Sequence, residues 1–158
     1  MAKVRTRRKS WRYANTVRWA EAKRGSLTAE GKPDIEVATP PDFGGHEATW
    51  SPEDLFVAAV NGCIMTTFLY YQGKEGIELV GYASTAEGVL EFGDDGLVFT
   101  RVEVRPEVVV ASETDRKKAE RALQRSEEVC LISNSVSAAV TVTPQIRLAD
   151  GPGQAPGS

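Results

Sequence analysis

The spacing of apolar residues changes period several times along the chain, and each change marks an element. Over residues 97–110, Val98, Val102, Val104, Val108 and Val110 alternate with more polar neighbours. A period of two is the mark of a strand with one buried face. Residues 78–92 read as its partner, and Gly93-Asp-Asp-Gly96 supplies the turn, so a hairpin is predicted. Pro106 has no N–H to give to a ladder, which predicts an edge or a bulge there.

From Ser51 the pattern becomes helical. Ser51 is a good N-cap, Pro52 suits the first helical position, and Asp54 occupies the slot of the reciprocal capping partner. The predicted helix runs to about Gln72 and ends before Gly73. Leu55, Phe56, Val57, Val60, Ile64 and Leu69 make it apolar almost all round, which predicts central burial. Upstream, a strand is predicted over residues 11–20, a turn at Lys23-Arg24-Gly25, and short strands as far as Thr39. Residues 39–50 hold two prolines and two glycines, which argue against regular structure. Downstream, a second helix starts at Ser112 or Thr114, with Arg116, Lys117, Glu120 and Arg121 on one face and Ala119, Ala122 and Leu123 on the other. It delivers Cys130, and a final strand is expected over residues 137–148. This order of elements predicts an α+β fold.

Composition narrows the classes. The 158 residues fit one domain, or one subunit of a small oligomer, and a net charge of −3 gives no global pull toward nucleic acid or an anionic membrane. Lys3, Arg5, Arg7, Arg8 and Lys9 form a basic run without aromatics, read as a solvated tail over residues 1–10. Residues 149–158 are rich in glycine and proline and are read as a disordered tail, which leaves residues 11–148 as the folded domain. The strongly apolar run 55–60 is too short to span a bilayer. No apolar segment follows the basic N-terminal residues, so no secretory signal is expected and the cytoplasm is the predicted location. A stable structural disulfide is unusual in that compartment. His46 is the one histidine, and no metal-ligand spacing joins it to a cysteine, so no metal is expected.

Two cysteines carry the candidate chemistry. Cys63 lies well inside the buried helix, in Val60-Asn-Gly-Cys63. Gly62 costs a helix about 1 kcal/mol relative to alanine, which suggests close approach of backbone, a ligand or another chain. At this point Cys63 is either a buried small hydrophobe or a reactive thiol. Cys130 falls at the C-terminal end of a helix, where the dipole disfavours a thiolate, and that suits a resolving thiol better than a primary nucleophile. A reactive Cys63 needs a nearby cation to lower its pKa. The candidates lie around Lys23-Arg24-Gly25, and Glu53 is the candidate carboxylate to hold a guanidinium in place. Ten residues of helix rise about 15 Å, so Glu53 cannot touch Cys63 of its own straight helix. Either the helix bends or Glu53 serves a second subunit.

Phe43-Gly-Gly45, Trp50-Ser-Pro-Glu-Asp-Leu-Phe56 and Ala58-Ala-Val-Asn-Gly-Cys63 resemble the first-cysteine segment of the OsmC/Ohr family, the osmotically inducible and organic hydroperoxide resistance proteins. Cys130-Leu-Ile-Ser-Asn-Ser-Val136 resembles its second-cysteine motif. The likeness extends over residues 19–148. It implies an intertwined homodimer with antiparallel sheets around two buried central helices, and sites at the subunit interface. It also implies a peroxidatic Cys63, a resolving Cys130, and Glu53 paired with a catalytic arginine after the first strand. That arginine maps to Arg24, with Lys23 and Arg18 as alternatives.

Leu131 stands where the family often has proline, and the Phe43-Gly-Gly-His-Glu stretch is more acidic than many family loops. Both point to the broader OsmC-like branch. The implied activity is a thiol-dependent peroxidase acting on organic hydroperoxides, and on hydrogen peroxide less well. It needs no bound cofactor, and a dithiol reductant, lipoyl-type by resemblance, restores it. Phe43, Trp50, Met65, Phe68 and Ile132 are the expected pocket lining. The alternatives are a redox-sensing or small-molecule-binding protein on the same scaffold, and an interaction protein with inert cysteines.

Overall fold

The computed structural model describes residues 9–94 and 96–150, so the expectations for the extreme N-terminal and C-terminal tails fall largely outside the described residues. The chain divides into two compact units between Asp54 and Leu55.

The first unit holds a three-stranded antiparallel sheet in the order β1 (Thr16–Glu21), β2 (Arg24–Thr28), β3 (Ile35–Ala38). Pairing of Thr16 with Thr28 closes the β1–β2 ladder, and a turn from Ala29 to Lys32 follows. Residues 11–15 therefore have no partner strand, and β1 starts later than its sequence suggests. The predicted turn also moves. Glu21 pairs with Arg24, so Ala22 and Lys23 form the turn, with Ala22 at φ 44°, and Arg24 opens β2. Gly25 is needed for close approach instead, because a Cβ there would sit 2.6 Å from the Arg18 carbonyl oxygen. Alternation places Val17, Trp19, Leu27, Ile35 and Val37 on one face of this sheet and Arg18, Arg24, Ser26 and Glu36 on the other. Residues 39–50 are more ordered than their prolines and glycines suggest. A 3-10 turn spans Pro41–Phe43, and Trp50 bridges Val37, with the Ala38 amide donating to the Trp50 carbonyl at 2.9 Å.

Helix α1 (Pro52–Glu75) begins as predicted, at Ser51. The Asp54 amide donates to Ser51 Oγ at 3.1 Å, and Asp54 Oδ2 accepts from the Ser51 amide at 2.9 Å, so aspartate completes the capping box. The helix continues through Gly73 and stops at Gly76, whose φ of 62° favours glycine. At 24 residues it is long and apolar enough to cross a bilayer, a length the run 55–60 concealed, although a core helix meets the same measure.

The second unit is built on the long hairpin of β4 (Leu79–Gly93) and β5 (Gly96–Val110). Helix α2 (Glu113–Val129) then crosses over to β6 (Ala139–Val142) and β7 (Gln145–Leu148), both parallel to β5. The expected final strand is thus split at Thr143 and Pro144, and the sheet is mixed. Pro106 is neither at an edge nor at a bulge: β5 is central, and its register shifts fall at Leu79/Gly81 and Val89/Leu90. The proline is tolerated because β6 pairs as far as Val104 and β7 begins at Glu107, leaving the β6–β7 junction opposite it.

Val102, Val104, Val108 and Val110 of β5 are fully buried and divide the core into two clusters. One joins Val108 and Val110 to Phe68, Ile77, Ala119 and Leu123, and the other joins Val102 and Val104 to Val60, Ile64, Ala138 and Cys130. Only Val60, Ile64 and Phe68 of α1 are buried, four residues apart along one stripe. The expected burial on all sides is therefore not reached within one chain. A Cβ on Gly62 would meet nothing within 4 Å, so the chain itself supplies no close neighbour there.

Asp115 ties α2 to the end of β4. Ser112 Oγ donates to its Oδ2 at 2.6 Å, and the Glu78 amide donates to its Oδ1 at 3.3 Å. The bond from Ser112, helped by Glu78 and Lys118 against partial desolvation, holds the carboxyl below its ordinary 3.8. A depressed folded pKa stabilises fully above the unfolded value and loses that effect as pH falls through the folded one. Asp115→Asn is therefore expected to lower the urea midpoint at pH 7, and the gap from the parent should close in acid below pH 3.8. An equal gap at both pH values would show that the charge contributes nothing.

Candidate functional site

Four elements bring the two cysteines together. α1 carries Cys63, α2 ends at Cys130, and both pack on the β5 face through Val102 and Val104. Asn61 fixes the position of α1 against β4: Ser84 Oγ donates to Asn61 Oδ1 at 2.6 Å, two residues before Cys63. Phe56 of α1 stacks on Phe99 of β5, with centroids 4.6 Å apart. Cys130 caps α2, its amide donating to the Ser126 carbonyl at 3.0 Å.

The thiols differ in setting. Both are free, Cys63 half-buried and Cys130 fully buried. Cys63 Sγ lies 4.0 Å from Thr67 Oγ1, one helical turn on. Burial, then the adjoining Cys63 thiol, pushes the Cys130 thiol up from its ordinary value, while Ser133 pulls the other way. The shift favours the thiol over the thiolate form of Cys130. The Ser133 amide donates to Cys130 Sγ at 3.5 Å, a contact that sequence reading missed. The run Cys130-Leu-Ile-Ser-Asn-Ser135 gave the signal only as part of a motif, since the backward bend that aims the amide is invisible in composition.

The other expected site residues divide between the units. Arg18, Lys23 and Arg24 belong to the first, where all three line an open depression of about 360 Å³ together with Trp19, Val37 and Pro52. Arg24 faces Glu21 at 3.9 Å and Glu36 at 4.0 Å. Lys23 Nζ donates to the Phe43 and Gly44 carbonyls at 3.1 and 2.9 Å, so it ties the loop to the hairpin. Arg18 enters no ion pair among the described residues. Glu53 follows Pro52, and its Oε2 is buried without a hydrogen-bond partner among the described residues. Phe43 and Trp50 are also in the first unit, both exposed.

Of the expected pocket residues in the second unit, Ile132 is exposed near Cys130 and Met65 is half-buried. Met65 is two residues from Cys63, a spacing that does not share a helix face. Phe68 lies in the other core cluster, away from the sulfur pair, stacked on Tyr82 at 5.5 Å. No cluster of metal-ligating side chains occurs among the described residues.

Solved structures share this fold. An OsmC-like protein of unknown function from Vibrio cholerae superposes with a TM-score of 0.78 at 26% identity, covering 87% of this chain and 100% of that one. An organic hydroperoxide resistance protein OsmC from Legionella pneumophila gives 0.67 at 22% identity, over 87% of this chain and 98% of that one. An organic hydroperoxide resistance protein from Elizabethkingia anophelis gives 0.68 at 18% identity, over 89% and 100%. The last two likenesses establish the fold alone. The comparison with curated proteins found no match. The family model described as OsmC-like protein matches residues 44–145, more than half of the chain and including both cysteines. With the α+β scaffold and the paired thiols in place, that match means the chain belongs to the OsmC-like protein family.

Proposed function

We propose that this chain is a thiol-dependent hydroperoxide reductase, with Cys63 as the peroxidatic and Cys130 as the resolving cysteine. The observation that carries the reading is the packing of Cys63 against the buried Cys130, 67 residues later in the sequence, whose burial pushes its thiol pKa up. The names of the Legionella and Elizabethkingia proteins, which share the fold, support organic hydroperoxides as the substrate class.

The Cys63 thiolate attacks the O–O bond, the distal oxygen stays on sulfur as a sulfenic acid, and the alcohol departs. Cys130 condenses with the sulfenic acid to a disulfide and water. An external dithiol, of lipoyl type in our reading, then reduces the disulfide by exchange. The cycle calls on no metal or prosthetic group and runs in a reducing compartment, the cytoplasm. Arg24 is the proposed cation that lowers the Cys63 pKa and orients the peroxide. Glu53, whose Oε2 has no partner among the described residues, is the carboxylate proposed to take it over from Glu21 and Glu36. Phe43, Trp50, Met65 and Ile132 are the proposed apolar lining.

The acting form is proposed to be a homodimer. Ala59, Leu69 and Tyr70 of α1, off the buried stripe of Val60, Ile64 and Phe68, are exposed, as are Val17 and Trp19 on the apolar face of the first sheet. A second copy of the chain would cover both.

The test is a titration of the reduced protein with cumene hydroperoxide, followed by free-thiol counting and intact-mass analysis. The expected result is loss of both thiols per chain, a mass lower by two hydrogen atoms, and sustained peroxide consumption once dihydrolipoamide is added. Retention of both thiols under excess peroxide would refute it. A disulfide that forms without turnover would instead favour a redox sensor.

A further inference from the structure

We infer that Ser133 is a further catalytic residue of the resolving step, its amide and hydroxyl together stabilising negative charge on the Cys130 sulfur as that sulfur attacks. The inference rests on the peroxidase reading above and concerns the half of the cycle that the cation near Cys63 does not serve.

Cys130 is fully buried, and its hydrocarbon neighbours are Val60, Ile64, Val102, Val104 and Ala138. A thiolate there is costly unless hydrogen bonds meet it. From α1 the titratable group facing it is Cys63. From β5 and β6 the cluster offers valines, and Glu127 of α2 is turned aside, its Oε1 accepting the Val142 amide at 3.0 Å. The C-terminal end of α2 adds an unfavourable dipole. Stabilisation must therefore come from the bend that follows.

That bend is built for it. The Asn134 amide donates to the Cys130 carbonyl at 3.0 Å and Ser135 Oγ to the Leu131 carbonyl at 2.7 Å, folding residues 131–135 back over the cysteine. The Ser133 amide then points at Cys130 Sγ from 3.5 Å. The Ser133 hydroxyl is buried and has no hydrogen-bond partner among the described residues. Ser133, through its side chain and its amide, pulls the Cys130 pKa down against the desolvation that raises it. A buried hydroxyl with no other partner costs stability, and it gains one by rotating toward a sulfur that becomes charged.

The step balances. Cys63–S–OH and Cys130–SH give Cys63–S–S–Cys130 and water: the S–S bond forms, the S–O bond breaks, and the Cys130 proton ends on the departing hydroxide. The oxidising equivalents were supplied by the hydroperoxide one step earlier.

The test is single-turnover oxidation by cumene hydroperoxide across a pH series, in which the sulfenic acid and the disulfide are followed in one trace. The preceding oxidation of Cys63 serves as the reference for the rate of disulfide formation. Ser133→Ala keeps the amide and loses the hydroxyl. It is expected to move the pH midpoint of disulfide formation up by about one pH unit and to slow it about tenfold at pH 7, two readings of one free-energy difference. The rates should converge with the parent at high pH. Ser133→Thr, which keeps a hydroxyl, should restore the parental midpoint. A purely packing role would lower the rate equally at every pH, and that outcome overturns the inference, as would a threonine variant that behaves like alanine. If the parent forms sulfenic acid but no disulfide, or neither, the peroxidase reading fails first and this inference falls with it.

Discussion

Replacing Cys63 by serine is expected to abolish peroxide consumption, whereas replacing Cys130 should permit one round of chemistry and then stall. The serine hydroxyl is a far weaker nucleophile than a thiolate, and loss of the attacking atom removes several orders of magnitude of rate. In Cys130→Ser the first step is intact, so one equivalent of peroxide is consumed per chain and Cys63 remains as sulfenic acid. Further peroxide should carry it to sulfinic acid, which dithiols do not reverse. Burst amplitude in stopped-flow, followed by mass analysis showing one and then two added oxygens, would check both halves. Full steady-state turnover by Cys63→Ser would remove this residue from the mechanism. A Cys130→Ser protein that cycles normally with dihydrolipoamide would mean that the external thiol, not Cys130, resolves the sulfenic acid.

The largest stability effect is expected at Phe68. The side chain is fully buried, stacked on Tyr82 and packed against Val108, Val110 and Leu123. Phe68→Ala should cost about 3–5 kcal/mol through lost burial and the cavity left behind. Against a total stability on the order of 5–15 kcal/mol, that is a severe loss. Urea unfolding at a fixed protein concentration measures it. Because Phe68 and the sulfur pair occupy different core clusters, the substrate preference of the protein that stays folded should not change. An unperturbed midpoint combined with an altered preference between cumene and hydrogen peroxide would put Phe68 back in the substrate pocket.

What the sequence made legible follows from how local each signal is. Ser51, Pro52 and Asp54 announce the start of α1 because a helix cap is written in four consecutive residues, and of the two starts open for α2, Ser112 and Thr114, the structure takes Ser112. The long hairpin is legible from the alternating valines of β5. Signals that depend on a distant neighbour misled. Gly25 looked like a turn residue, but its smallness answers the Arg18 carbonyl across the ladder. Pro106 looked like an edge, since nothing local says that its open side would fall opposite a break between two later strands. The split of the last strand at Thr143 and Pro144 has the same origin. At the site, the cysteines were visible as a pair of motifs. The role of Ser133 was not, because it needs a bend to be built before an amide and a hydroxyl can face a sulfur.

The unequal exposure of the two thiols fixes the order in which they can change oxidation state. Cys130 has no surface open to solvent, so a dissolved oxidant reaches the sulfur on α1 first, whatever the intrinsic reactivities. In the proposed cycle packing thus reinforces the order that the chemistry sets, and it would shield the second sulfur from the irreversible products that excess oxidant makes. A substitution that merely loosened Val102 or Val104 over Cys130 would let both sulfurs meet oxidant independently, and the chain would then lose its sequential logic without losing either cysteine.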